Sequence, residues 1–127
     1  MERLRFRPHQ HLRRGADFSR VFREGSRARS DLFTVAVRPN GLEHSRLGLS
    51  VGKKIWKHAV RRNFVRRIFR EAFRLEQHAL PAGLDIVLIP ARPRLVPDLA
   101  EAREQLVSMC HKAHRRYREK HPEAEAS

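Results

Sequence analysis

Between residues 53 and 74 the chain reads KKIWKHAVRRNFVRRIFREAFR. Nine Lys or Arg side chains (Lys53, Lys54, Lys57, Arg61, Arg62, Arg66, Arg67, Arg70, Arg74) stand against one acid, Glu71. That surplus of eight is more than half of the +14 carried by all 127 residues. Any fold must bury the apolar residues of this segment while leaving its cations in water or against an anion. A helix over 59–77 does both. On a 3.6-residue wheel, Val60, Phe64, Val65, Ile68, Phe69, Ala72 and Leu75 share one half. Arg62, Asn63, Arg66, Arg67, Arg70 and Arg74 share the other, with Phe73 just on the basic side. Arg61 projects into the apolar half, close enough to the helix start to reach solvent. The expectation is a helix that lays Val60, Phe64, Ile68, Ala72 and Leu75 on a sheet and offers its arginines to a polyanion.

The charge is concentrated. Residues 1–52 carry a net +6 and residues 75–127 a net zero. Such an excess makes a local potential that attracts nucleic acid. A solvated helix face normally mixes Glu with Lys at i, i+4, whereas here like charges repel at that spacing. A polyanion relieves the repulsion, and arginine's planar fork suits phosphate. Strands on both sides of the helix argue against a helix-turn-helix reader, so no DNA partner is expected. A basic amphipathic helix also suits an anionic membrane surface. The apolar half is needed for the sheet, and no membrane partner is expected.

Catalytic patterns are missing. Gly48 to Lys54 has the outline of a phosphate loop, but only three residues separate the glycines and Lys54 stands where the hydroxyl belongs. His9/His11 and His111/His114 lack a carboxylate or cysteine to complete a metal site. Cys110, the one cysteine, excludes an internal disulfide and a cysteine-rich zinc site, and it falls on an apolar stripe. The N-terminus has no apolar core of the secretory kind and no apolar run spans a bilayer, so the expected location is cytoplasmic.

Along the chain, residues 1–11 read as a flexible basic arm, 12–119 as one RNA-binding domain and 120–127 as a frayed tail. Phe18, Val21 and Phe22 are at helical spacing, with Asp17 near the start and Gly25 at the end. Strands are expected over 26–29, 32–38 and 46–51, the last two paired as a hairpin across Pro39-Asn40-Gly41. The run over 84–89 reads as a central strand. A helix over 98–118 carries Leu99, Ala102, Leu106, Met109, Cys110, Ala113 and Tyr117 on one stripe. The order describes an α/β sandwich with helices on a mixed sheet.

Four segments in this order carry a resemblance: DFSRVFREG, RLGLSVGKK, AVRRNFVRRIFREAFR and LDIVLIPARP. Together they resemble the protein subunit of bacterial ribonuclease P over roughly residues 12–117. The third segment, with its Arg-Asn pair, following basic pair, then RE and FR, is the most specific. The resemblance implies an α+β fold: an α-β sandwich with helices on a mixed, mostly antiparallel four-stranded sheet. Its β-α-β crossover would be left-handed, as in the second domain of ribosomal protein S5, against the usual right-handed rule.

It also implies a ribonucleoprotein endonuclease that removes the 5′ leader from precursor tRNA. The catalytic centre would lie in the RNA subunit, with Mg²⁺ bound mainly there and no catalytic residue in this chain. The implied partners are the RNA subunit and the single-stranded leader. The implied RNA-binding residues are Arg62, Asn63, Arg66, Arg67, Arg70 and Arg74, with Lys53 and Lys54. Phe18, Phe22 and Phe33 would line the leader cleft, beside Lys53. Arg66 stands where many members have Lys, and Ala36 where some have an aromatic residue on the cleft strand. The competing reading is a non-catalytic, ribosome-associated RNA-binding protein.

Overall fold

One strand, β4 (Leu84–Pro90), is buried along nearly its whole length, so it needs cover on both faces. The computed structural model, which describes residues 5–13 and 15–124, supplies that cover. The elements are α1 (Gly15–Glu24), β1 (Ser26–Arg29), β2 (Phe33–Pro39), β3 (Arg46–Leu49), α2 (Ala59–Glu76), β4 and α3 (Leu99–Lys120), with three short 3-10 turns. The sheet order is β1-β2-β4-β3. β2 is antiparallel to β1 and β4, and β3 runs parallel to β4. The fold is α+β, three helices on a four-stranded, mostly antiparallel mixed sheet.

The expected hairpin between β2 and β3 does not form. β4 is apolar on both faces, and such a strand is most stable in the sheet interior, so it lies between them. The residues that suggested a hairpin turn act differently. Asn40 accepts from the Leu42 amide at 2.8 Å and donates through Nδ2 to the His44 carbonyl at 3.1 Å, holding the loop that leads to β3.

Side-chain alternation sorts the core into two layers. Phe33, Val35, Val37, Leu47, Ile86 and Leu88 pack with Val65, Phe69, Ala72 and Phe73 of α2 and Leu106, Cys110 and Ala113 of α3. Ala36 and Val87 face the other way, toward Val21, Phe18 and Phe22 of α1 and Leu12. Burial pushes the Cys110 thiol pKa up, as befits a core residue. Asp98 caps α3, accepting from the Glu101 amide at 3.1 Å. At the end of α1, a Cβ on Gly25 would lie 2.4 Å from the Val37 carbonyl oxygen and 2.5 Å from that of Val21, so only glycine fits.

Helix α2 is rolled away from the expected orientation. Its buried residues are Val65, Phe69, Ala72 and Phe73, whereas Val60 is 79% exposed and Phe64 40% exposed. The physical reason is that α2 packs against α3 as well as the sheet, which centres the buried arc on Phe69. The Phe69 ring meets Phe33 edge-on at 5.4 Å, and Phe73 receives Phe6 at 5.1 Å. Counting 100° per residue from Phe69, Val60 lies roughly 180° away and Arg62 only roughly 20° away.

The expected loose arm is docked from Arg5 onward, while residues 1–4 lie outside the described residues. Phe6 stacks on His11 at 3.8 Å. Gln10 is buried and donates to Gln77 Oε1 at 3.0 Å, and Gln77 donates to the Arg5 carbonyl at 2.7 Å. His11 bridges to Leu47 on the outer edge of β3, and the Leu12 amide donates to the Leu47 carbonyl at 2.8 Å. Of the expected tail, Pro122–Ala124 form a 3-10 turn and residues 125–127 lie outside the described residues.

A buried carboxylate interrupts the apolar run of β4. Asp85 accepts from Arg46 Nε and Nη2, both at 2.7 Å, and from Asn40 Nδ2 at 3.1 Å. Arg46 and Asp85 are register partners in the parallel pair, so the fork fixes β3 against β4. The hydrogen bonds to Asp85 raise the Arg46 pKa. Asp85→Ala leaves a half-buried guanidinium unpaired and is expected to cost about 3 kcal/mol in urea unfolding. A cost within the ~1 kcal/mol typical of a surface pair would show that the fork does not hold the register.

Candidate RNA interface

The roll of α2 divides its cations into tethered and outward groups. Arg62 and Arg66 are half-buried on the flank of the packed face. Arg62 Nη1 donates to the carbonyls of Trp56 at 3.0 Å and Lys57 at 2.7 Å, tying the preceding loop to the helix. Arg66 Nη2 donates to the Val51 carbonyl at 2.9 Å, and its Nη1 to Asn63 Oδ1 at 3.0 Å. Arg74 is paired with Glu71 through Nε and Nη2, one edge of its guanidinium, with Nε to Oε2 at 3.0 Å. The Arg74 hydrogen bond holds the Glu71 carboxyl below its usual pKa, and the half-exposed pair adds little stability. Arg67 and Arg70 are exposed.

Lys53 and Lys54 are exposed in the loop before α2. Together with Lys57, His58 and Arg94 they border a recess of about 400 Å³. Trp56 latches the two loops, with Nε1 donating to the Leu95 carbonyl at 2.8 Å and the Arg61 guanidinium 5.5 Å from its ring centre. The sequence placed these lysines in the basic stretch ahead of the helix; the indole anchor came only with the fold.

Phe18 and Phe22 are half-buried on α1 against the opposite face of the sheet. Beneath them, register aligns Arg27, Ala36, Val87 and Gly48 in one row across all four strands. Small residues on that row let α1 approach closely. A Cβ on Gly48 would lie 2.5 Å from the tip of the Phe18 ring. Ala36 is fully buried, so it offers no surface to a ligand. Arg27 sits 5.4 Å over the Phe22 ring and donates to the Phe22 carbonyl at 3.2 Å.

Phe33 must be removed from the expected cleft. Strand alternation turns it to the α2 side, where it has no exposed surface and meets Phe69. Its residue type suggested stacking, but its strand parity relative to Ala36 decided otherwise.

A cavity of about 510 Å³ joins the two regions, bordered by Phe18 of α1, Arg66 and Arg70 of α2, and Phe6, His11 and Arg13 of the docked segment. The expectation missed His11 and Arg13. The one usable signal was their place just before α1, His11 at the end of the segment treated as loose and Arg13 at the start of the domain. Desolvation, then the Arg13 and Arg70 charges, lower the His11 pKa, against a smaller opposing hydrogen bond to the Phe6 backbone. Among the described residues no group of three His, Cys, Asp or Glu is placed to hold a metal ion. The His111 ring instead hydrogen-bonds the Ala79 carbonyl at 2.7 Å. No helix among the described residues is long and apolar enough to cross a membrane.

These features define a class first: an α+β protein with an arginine-rich helix and an aromatic cleft that meet at one cavity. The ribonuclease P family model matches residues 6–114. The ribonuclease P protein component of Syntrophobacter fumaroxidans is 42% identical over 110 residues, covering 85% of this chain and 92% of that one. The component from Chromobacterium violaceum is 47% identical over 88 residues, covering 69% and 72%. Among solved structures, the Thermotoga maritima ribonuclease P protein aligns with a TM-score of 0.71 at 37% identity, covering 80% of this chain and 96% of that one. The Staphylococcus aureus protein aligns at 0.71 and 28% identity, covering 82% and 94%. The chain belongs to the ribonuclease P protein family, the protein subunit of that tRNA-processing ribonucleoprotein.

The His11 geometry has a measurable consequence. A lowered folded pKa means the unfolded chain takes up this proton first, so His11 subtracts stability as pH falls below about 6.5. The imidazole should titrate below that value by NMR, and Arg70→Ala should move it up. An unmoved midpoint in Arg70→Ala would show that the two groups are not coupled.

Proposed function

We propose that this chain is the positioning half of ribonuclease P and that hydrolysis belongs to its RNA partner. The outer side of α2, with Arg67 and Arg70 and the adjoining Asn63, Lys53 and Lys54, neutralises phosphates of the RNA subunit. Arg62 and Arg66 mainly shape that surface through their backbone tethers, each keeping guanidinium donors for RNA. The 5′ leader of precursor tRNA lies along Phe18 and Phe22, whose rings suit unpaired bases. The observation that carries this reading is the cavity in which Phe18 meets Arg66 and Arg70. It puts stacking surface and phosphate-binding charge within one stretch of single-stranded RNA.

The described residues offer no cluster of three metal-binding side chains, and the one thiol is buried. In this reading Mg²⁺ is held mainly by the RNA, and the holoenzyme works in the cytoplasm.

Reconstitution tests the reading. The purified chain alone should cleave no precursor tRNA, and adding the matching RNA subunit should give 5′ trimming at low Mg²⁺. Metal-dependent cleavage by the isolated chain would overturn it. For phosphate contacts, Arg67→Ala and Arg70→Ala should each lower the slope of log affinity against log salt by somewhat under one, about 0.7–0.9. An unchanged slope would mark the outer side of α2 as a solvated face.

A further inference from the structure

The outer face of α2 carries an apolar feature that phosphate neutralisation does not use. Val60 and Phe64, one turn apart, are 79% and 40% exposed. With Asn63, Arg67, Arg70 and Glu71 they border a recess of about 570 Å³. Counted from Phe69, Phe64 lies roughly 140° and Arg67 roughly 160° around the helix, on the side away from the core. A face built only for solvent or phosphate has no use for an exposed phenyl ring there. Val60 and Phe64 border one recess, so together they make an apolar patch of the kind a bound partner covers.

We propose that Phe64, backed by Val60, is a stacking platform for an unpaired nucleobase of the RNA subunit. The proposal rests on the reading of this face as the RNA-subunit surface. The chemistry of the recess favours a base over other apolar partners. Arg67 and Arg70 border the same recess and supply cations for the phosphates that adjoin a stacked nucleotide. Asn63 Oδ1 is occupied by Arg66, which leaves the Nδ2 group to donate to a base edge. A second copy of this chain would bring another +14 against the same arginines. The leader is assigned to the opposite face of the sheet, along Phe18 and Phe22 of α1. The occupant of the α2 recess is therefore the RNA subunit.

Stacking and charge separate by salt. Binding of the full chain to its in vitro transcribed RNA subunit should weaken about tenfold in Phe64→Ala, within the usual range for one stacked base. The salt slope should stay that of the parent, because no phosphate contact is lost. Phe64→Trp should keep full affinity, and Phe64→Leu should behave like Phe64→Ala. Cooperative melting of all three variants would show that the fold is intact.

Parent-like affinity in Phe64→Ala or Phe64→Leu overturns the stack. If Arg67→Ala and Arg70→Ala still lower the slope in that case, the face remains an RNA surface without a stacked base. If they also leave the slope unchanged, the reading of the face itself fails. A Phe64 effect seen only when leader-bearing precursor is added to the assembled holoenzyme moves the platform to the substrate and overturns the assignment. Self-association of the parent chain that Phe64→Ala abolishes, seen by sedimentation, replaces RNA with a second copy.

Discussion

Burial of β4 on both faces is the constraint on which the rest of the structure depends. A strand carrying Ile86 and Leu88 on one side and Val87 on the other cannot lie at a solvent-exposed edge without exposing apolar surface. It therefore takes an interior position, with α2 and α3 covering one face and α1 the other. This arrangement separates the aromatic cleft from the arginine-rich helix by the thickness of the sheet. They meet only around the outer edge of β3, where the segment carrying His11 docks. The Arg46–Asp85 fork sets the position of that edge strand, which lines the cavity through Leu47 and Leu49.

The cations of α2 have unequal roles. A guanidinium has five donors, and Arg62 and Arg66 spend some of theirs on backbone carbonyls that loop geometry leaves open. Arg74 is balanced by Glu71, the single acid of the stretch. Arg61, Arg67 and Arg70 are the exposed arginines of the helix, while Arg62 and Arg66 are held at its flank with their charge intact. Desolvation first, then the charges of Arg13 and Arg70, lower the His11 pKa, so the helix contributes to the potential in the cavity. A patch that looks uniform by charge count is a scaffold with a smaller working surface.

Much of the architecture was legible in order. The runs over 26–29, 32–38, 46–51 and 84–89 became β1 to β4, and the two long helices fell within a residue or two of expectation. Strand pairing was not legible, because a turn signal at Pro39-Asn40-Gly41 is local and the claim of β4 on β2 is not. For the candidate site, Phe18 and Phe22 came out together on α1, but Phe33 went to the core through strand parity. The helical wheel found an amphipathic α2 and misplaced its centre. Val60 and Phe64 were counted as sheet-facing because a wheel sees one helix and cannot see that α3 shares the burial.

The sequence by itself determined the surplus of positive charge, the helix that carries most of it, the strand too apolar for an edge, and the ordered segments that mark the family. These are properties of residue type and short spacing, and they survive in any arrangement of the chain. Only the tertiary structure decided which strand lies at the centre, how far α2 is rolled, and which arginines face outward. It alone brought His11 and Phe18 to Arg66 and Arg70. Each of these depends on contacts between segments tens of residues apart, where packing rather than local preference sets the outcome.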